Sequence, residues 1–220
     1  MNEQEQKLRD VLQRGVKLIA DSQSDLGSGL GNAGGWYYTP GDRSDEGSVT
    51  VTQLQALRAC RNVGIAVPKS TIDRAVAYLR YCQMPDGGIC YAAFSRNDSR
   101  APISAAALTC FYAAGYYDRQ AGGGGDEAKM VERLWKYCEN PDNGIVIIQN
   151  YGSTWGHYFY SHFYYSQAMY MRGGDEWTEY YEGLSQSMLS GQNLDGSWSG
   201  GVGTIYRTSI ATLMLQLPYG

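Results

Sequence analysis

The chain has 220 residues, enough to bury a sizeable core in one domain. Its net charge of −4, with no concentrated run of Lys or Arg, argues against nucleic acid or an anionic membrane as the main partner. No stretch approaches the ~18 apolar residues of a membrane span. The polar N-terminus shows no secretion signal, which favours a cytoplasmic protein or the mature part of an exported one.

Glycine and tyrosine are both common, with 28 and 19 copies. Because the apolar periodicity of the chain is helical, so many glycines predict tight turns between helices. The five cysteines contain no CxxC pair and no zinc-ligand spacing. They are interpreted as small buried side chains in a reducing compartment.

Apolar residues recur at helical spacing along the chain and predict eight helices. Ser48 is predicted to cap the second helix and Gly64 to end it. Ser70 and Asp73 have the spacing of a capping box at the start of the third helix. The helices pair into four hairpins, at about residues 3–64, 69–119, 126–173 and 175–218 of a single domain over 1–220.

One turn motif recurs between the helices. Its full form, Gln-Asn-Leu-Asp-Gly-Ser-Trp, occupies 192–198; weaker copies begin at Gln83 and Glu139, and a looser one runs from Gln23 to Trp36. The Gln is expected to satisfy backbone groups at a helix end, and the Trp to pack against the next outer helix. Since an isolated hairpin cannot bury its apolar face, the units are predicted to stack on their neighbours.

The pattern Gln-x-x-x-Gly-x-Trp resembles the QW repeat of squalene-hopene and oxidosqualene cyclases. Residues 34–38, 48–50, 164–170 and 195–198 resemble most closely the bacterial "prenyltransferase and squalene oxidase repeat" proteins. The resemblance implies an all-α fold of the terpenoid cyclase and protein prenyltransferase type, an α/α toroid with inner helices around a cavity and outer helices surrounding them. The loops that enter the inner helices would share one mouth.

A closed toroid of this kind needs more than four hairpins. Three alternatives follow from the resemblance. The chain is an open ring, a fragment of a longer protein, or a subunit that closes against a partner or a second copy of itself.

The catalytic signatures that the resemblance implies are missing. Asp42, Asp45 and Glu46 do not form the DxDD motif with which these cyclases protonate a substrate. The Asp-x-Cys of the prenyltransferase zinc site is absent, although His162 has a suitable place, and no thioester motif occurs. The sequence therefore predicts no cofactor and no metal site, and favours a non-enzymatic role.

Segment 151–181 contains twelve aromatic residues and both histidines of the chain. On a helix, Tyr158, His162, Tyr165 and Met169 form one stripe. Tyrosine hydroxyls need polar partners, so these rings suit ordinary binding better than stabilisation of a carbocation. Core packing is expected for most of them, and a polar-aromatic binding surface for the rest.

These features predict a binding or interaction module that uses the concave face of the array for an unidentified ligand or protein, with a polar-aromatic peptide or glycan as the model ligand. The alternative is a degenerate terpenoid cyclase or prenyltransferase-type enzyme that acts on an isoprenoid. The candidate ligand-binding residues are Trp36, Tyr37, Tyr38, Asp42, Asp45, Glu46, Trp155, His157, Tyr160 and His162.

Overall fold

A computed structural model of the chain describes residues 2–25, 34–42, 44–114, 126–143 and 157–219. The described parts confirm the all-α prediction, and none of their helices is both long and apolar enough to cross a membrane. The helices are α1 (Glu3–Asp21), α2 (Gly47–Asn62), α3 (Lys69–Tyr81), α4 (Ala101–Ala114), α5 (Asp126–Glu139), α6 (Tyr158–Arg172), α7 (Gly174–Ser190) and α8 (Thr204–Leu215).

The helices alternate between two roles along the chain. α2, α4, α6 and α8 pack in succession, each against the next, and we call them the inner helices. α1 packs on α2, α3 contacts α2 and α4, α5 packs on α4, and α7 packs on α6; these four are the outer helices. The alternation follows from the hairpin pattern, whereas a toroidal arrangement of the row stays a prediction.

The inner helix α4 lies between α2 and α6 in this row, and its residues from 103 to 112 are all buried. Its polar groups are satisfied inside the protein, as burial requires. The Thr109 hydroxyl donates to the Tyr164 carbonyl oxygen of α6 at 2.7 Å. Four of the five free cysteines, Cys110 among them, are buried, as predicted, and Cys60 is half-buried.

Three turns between outer and inner helices share one arrangement, which we call a clasp. In each, the Nε2 atom of a glutamine donates to the carbonyl oxygen of a glycine across the turn, at 2.8–2.9 Å. The glycines Gly34, Gly87 and Gly196 all have positive φ, which favours glycine. The first clasp consists of residue 23 with 34–36, the second of 83–89 and the third of 192–198.

In the first two clasps the glutamine also reaches the next outer helix. Gln23 Nε2 donates to the Thr71 carbonyl oxygen of α3 at 2.9 Å, and Gln83 Nε2 donates to the Met130 carbonyl oxygen of α5 at 3.0 Å. One side-chain amide thus ties a turn to the following hairpin. The Gln thus binds backbone groups, as predicted, but they belong to the clasp glycine and to the next outer helix and not to the helix end before the clasp.

The tryptophans of the first and third clasps bind the outer helix that precedes the clasp. Trp36 Nε1 donates to the Ile19 carbonyl oxygen of α1, and Trp198 Nε1 to the Met188 carbonyl oxygen of α7, both at 2.8 Å. These bonds go to the preceding outer helix, because the last carbonyl groups of a helix lack intrahelical donors. The expectation that the Trp ring packs on the next outer helix stays a prediction.

Each clasp is also tied to the inner helix that follows. The backbone N–H groups of Trp36, Ile89 and Trp198 donate to hydroxyl oxygens one turn into α2, α4 and α8, at 3.1, 2.8 and 3.1 Å. The acceptors are Thr50, Ser104 and Thr208. A clasp therefore joins the preceding outer helix to the following inner helix, and the first two also bind the next outer helix.

Helix ends differ from the predictions in two places. Glu46, not Ser48, is the N-cap of α2, because its longer side chain reaches two backbone N–H groups of the first turn. The start of α3 has Pro68 at the N-cap position without a side-chain cap, so the capping box at Ser70 does not form. Gly64 follows the end of α2 with φ +77°, as predicted for a helix stop.

A short antiparallel hairpin, β1 (Cys90–Ala92) and β2 (Ser95–Ser99), precedes α4 and was not predicted. The polar run of β2 lacks the alternation of a half-buried strand, so the sequence carries little strand signal. In the weak motif copy that begins at Glu139, the residue in the glutamine position has a carboxylate, which cannot donate the bond of a clasp. This carboxylate pairs with Arg172 of α6 at 2.6 Å.

The glutamine of the second clasp reaches the next outer helix, and that of the third clasp binds only its own turn in the described residues. Replacing each of them with alanine should therefore change the free energy of unfolding by different amounts. Gln83→Ala leaves two carbonyl groups without their donor and should lower the free energy of unfolding by about 1–3 kcal/mol. Gln192→Ala, which loses one exposed bond, should change it by less than about 0.5 kcal/mol. Urea denaturation of both variants measures the difference, and equal effects would contradict the bridging role of Gln83.

Candidate functional site

A cleft of about 1020 Å³ lies at the N-terminal ends of three inner helices. Ser48 lines it from the start of α2, and Ile103 from the start of α4. The start of α6 contributes His157, Tyr158, Tyr160, Ser161 and His162. The β2 strand and the short turn at 141–143 form other parts of its wall. The helix starts thus come together at one mouth, where their partial positive charge favours acceptor groups.

His162 is the most deeply buried polar residue of the cleft wall, with 1% of its surface exposed. Its Nδ1 atom lies 2.8 Å from the Tyr180 hydroxyl of α7. Its Nε2 atom is buried and has no hydrogen-bond partner among the described residues. Burial lowers the pKa of His162 to about 3, so the ring is neutral at neutral pH.

The tautomer of His162 is assigned from its hydrogen-bond network. Burial raises the pKa of Tyr180 well above 10, so its hydroxyl keeps its proton, and among the described residues that hydroxyl bonds only with Nδ1. If Nδ1–H donated, the Tyr180 O–H and Nε2 would both be unpaired, so the tautomer that leaves fewer unpaired groups has the hydroxyl donating to Nδ1 and the imidazole proton on Nε2. His162 thus carries an unused N–H donor in the wall of the cleft.

Tyr160 adds a second unused group one half-turn away. Its buried hydroxyl makes no hydrogen bond of good geometry in the described parts of the chain. Burial raises its pKa, and the nearby Tyr164 side chain adds to the shift. Its ring packs edge-on against Tyr164 at a centroid distance of 4.9 Å. His157 is exposed at the N-cap position of α6 and makes no side-chain cap bond. All three predicted residues of α6 therefore line the cleft.

Tyr38 contacts the cleft wall through Tyr91, a lining residue of β1. The two hydroxyl oxygens lie 3.4 Å apart. Burial raises the pKa of Tyr91, and its neighbours Tyr38 and Glu46 contribute to the shift. Tyr37 is half-buried and packs edge-on against the exposed ring of Tyr38, with centroids 5.1 Å apart.

The three predicted carboxylates serve the fold, and none is among the residues that line the cleft. Asp45 is 1% exposed and accepts the Tyr78 hydroxyl at 2.6 Å and the Ala93 backbone N–H at 2.8 Å. Glu46 caps α2, and Asp42 accepts the Ser44 N–H at 2.8 Å. A buried carboxylate requires donors, and the Tyr78 hydroxyl and the Ala93 N–H supply them to Asp45.

Trp36, another predicted binding residue, also lies inside the fold. Its ring is 3% exposed within the first clasp, and its N–H is bound to α1, so it offers no binding surface. Trp155 lies outside the described residues. The cleft instead contains lining residues that the sequence did not single out, among them Tyr91, Asn97 and Arg100. These residues lie in the β-hairpin and in the turn that follows it, neither of which was predicted, so no pattern in the sequence marks them.

No group of three or more His, Cys, Asp or Glu residues in the described part of the chain is arranged to hold a metal ion. The charged residues of the wall include Arg100 and Asp98, whose side chains lie 3.8 Å apart and are both largely exposed. The cleft therefore offers hydroxyl, amide and imidazole groups beside aromatic rings. Such groups bind by hydrogen bonding and stacking.

Neutral His162 makes stability depend on pH. Its folded-state pKa of about 3 lies below the ordinary value of 6.5, so between these pH values the unfolded chain binds a proton that the folded chain does not. Stability is then lost as the pH falls. From about pH 7.5 to about pH 5, the wild type should lose about 2 kcal/mol more than His162→Gln.

Urea denaturation at these pH values measures the difference between the two proteins. His157→Gln, at the exposed histidine that begins the same helix, is the matched control and should keep the wild-type profile. An identical pH dependence in wild type and His162→Gln would show that His162 is not held neutral.

Comparison with known proteins does not assign the site. No protein-family model matches the chain, and no curated protein matches it. The resemblance of residues 192–198 to the cyclase and prenyltransferase repeats therefore remains a prediction.

Proposed function

We propose that the chain is a binding module whose cleft takes a polar-aromatic ligand such as a segment of peptide or glycan. The observation that supports this proposal is the pair of unused buried groups, His162 Nε2–H and the Tyr160 hydroxyl, in one wall of the cleft. Leaving a buried polar group unsatisfied costs about 1–3 kcal/mol. A ligand that supplies acceptor oxygens recovers this cost.

The rest of the lining suits the same ligand class. Tyr91, Tyr137 and Tyr158 present aromatic rings beside the hydroxyl and amide groups of Ser99 and Asn97. Sugar and peptide ligands combine flat or apolar faces with hydrogen-bonding edges, and such a wall can match both. The cleft volume of about 1020 Å³ is at the upper end of ligand pockets, which supports an oligomeric ligand.

The alternative is a terpenoid cyclase or prenyltransferase-type enzyme. A protonating acid needs a carboxyl group whose pKa is raised by burial. The described carboxylates of the lining, Asp98 and Asp142, are both exposed. The aliphatic side chains among the described lining residues are Ala101, Pro102 and Ile103, and the aromatic rings beside them carry hydroxyl or imidazole groups. The binding role is therefore favoured.

The substitution Tyr160→Phe tests the proposed site, because it removes the unused hydroxyl and keeps the ring. Binding of a peptide or sugar should weaken about 5- to 10-fold. Stability should stay constant or rise by up to about 1 kcal/mol, since an unsatisfied group is lost. Such opposite effects on binding and stability are typical of a functional residue.

The measurement uses defined probes: chito- and cello-oligosaccharides, tyrosine-containing tripeptides and farnesyl diphosphate. Ligand-observed NMR detects binders, and calorimetry compares the variants. Tyr170→Phe, at an exposed position of the same helix, is the matched control and should change neither property. Peptide or sugar binding that Tyr160→Phe leaves unchanged would contradict the site, and binding of farnesyl diphosphate alone would favour the enzyme.

A further inference from the structure

The third clasp lacks the docked helix that the first two have. A Cβ atom on Gly34 would clash with the Arg74 carbonyl oxygen of α3, and one on Gly87 with the Arg133 carbonyl oxygen of α5. A Cβ on Gly196 would meet only the Gln192 side chain of its own clasp. Leu194, within this clasp, is fully exposed. Among the described residues, the third clasp is thus an unoccupied docking surface.

The first two clasps show what such a surface binds. One turn of the next outer helix packs against each clasp. This turn contains Thr71 and Arg74 in α3 and Met130 and Arg133 in α5. Thr71 and Met130 are 2% and 3% exposed because the clasp covers them. The Arg133 guanidinium donates to the Met84 carbonyl oxygen of the second clasp at 2.8 Å.

α1, the first outer helix, has a surface that corresponds to the one with which α3 and α5 bind a clasp, and no described clasp lies on it. Arg14 precedes Gln23 by the same interval that separates Arg74 from Gln83, so Val11 of α1 corresponds to Thr71. Val11 is 52% exposed, whereas Thr71 is buried. Nothing described lies within 4 Å of the Cβ position of Gly15. The clasp-binding face of α1 is therefore also uncovered.

The two uncovered surfaces match in size. In the first two clasps the glycine at the next position faces a tyrosine ring: Gly35 faces Tyr78, and Gly88 faces Tyr137. The third clasp has the larger Ser197 at this position. Tyr78 lies five residues before Gln83, and the residue five positions before Gln23 in α1 is the smaller Leu18. Leu18 is 56% exposed. The larger residue on one surface thus meets the smaller residue on the other.

We propose that copies of this chain associate head to tail, with α1 of one copy docked on the third clasp of the next. In this arrangement Gln192 Nε2 donates to the Val11 carbonyl oxygen of the second copy, as Gln83 does to Met130. Arg14 of that copy donates to the Asn193 and Leu194 carbonyl oxygens, as Arg133 does to Met84 and Pro85. Leu18 packs on Ser197.

The contact joins two different surfaces, so it is heterologous and every copy carries both halves. Association then continues from copy to copy, as a ring if the rotation between copies closes and as an open filament if it does not. The proposal rests on the clasps and is independent of the ligand proposed for the cleft.

Two variants separate the two halves of the contact. The α1 variant carries Val11→Glu and Leu18→Glu, and the clasp variant carries Gln192→Ala and Leu194→Glu. All four residues are exposed, so both variants should keep the circular dichroism spectrum and melting temperature of the wild type. Sedimentation velocity of the full chain, from low to high micromolar concentration, gives the mass of each species.

Wild type should form species larger than one chain as concentration rises, and each variant alone should remain a monomer. An equal mixture of the two variants keeps one intact pair of surfaces, so it should form a complex of two chains and nothing larger. A wild type that stays monomeric throughout overturns the proposal. So does a mixture that fails to associate under conditions where the wild type does, or a variant that still self-associates.

Discussion

The fold depends on a side-chain amide that bridges two backbone carbonyl groups. In the first and second clasps a glutamine holds a glycine of its own turn and a residue of the next outer helix. The turn and the helix approach so closely that neither Gly34 nor Gly87 has room for a Cβ. Glycine is needed there both for its positive φ and for this approach. Helical hairpins cannot bury their apolar faces alone, and the clasp fixes how each docks on its neighbour.

The clasps also position the cleft. The backbone N–H that follows the glycines binds a hydroxyl one turn into α2 and into α4, which sets both helix starts relative to their turns. In α6 the fourth residue is Ser161, at the position that Ser104 has in α4, and it lines the cleft beside His162. The unused donor of His162 is oriented by Tyr180 of the outer helix α7. Structural interactions on the outer side thus determine which polar groups face the proposed ligand.

Local patterns in the sequence predicted what local physics determines. Helical periodicity gave the helices, and Gly64 gave a helix end. The role of Asp45 was not predictable, because Asp45 meets Tyr78 and Ala93, which are distant in the chain. Glu46, by contrast, acts locally and caps the helix that directly follows it. The clasp role of Trp36 had a signal, since its Gly-Gly-Trp corresponds to Gly-Ser-Trp at 196–198. His162 was a candidate because of its residue type and its place on a predicted helix. Its buried N–H depends on the contact with Tyr180, which no sequence motif indicates.

Native-state hydrogen exchange tests most directly whether the bridged clasps are the rigid units of the fold. The amides of Trp36 and Ile89 lie in bridged clasps, and that of Gly196 lies in the third clasp, whose glutamine bonds to no other helix of the described residues. Opening of the first two amides should cost the full free energy of global unfolding, whereas the Gly196 amide should exchange through a local opening. Exchange of all three through local openings of similar free energy would contradict the account.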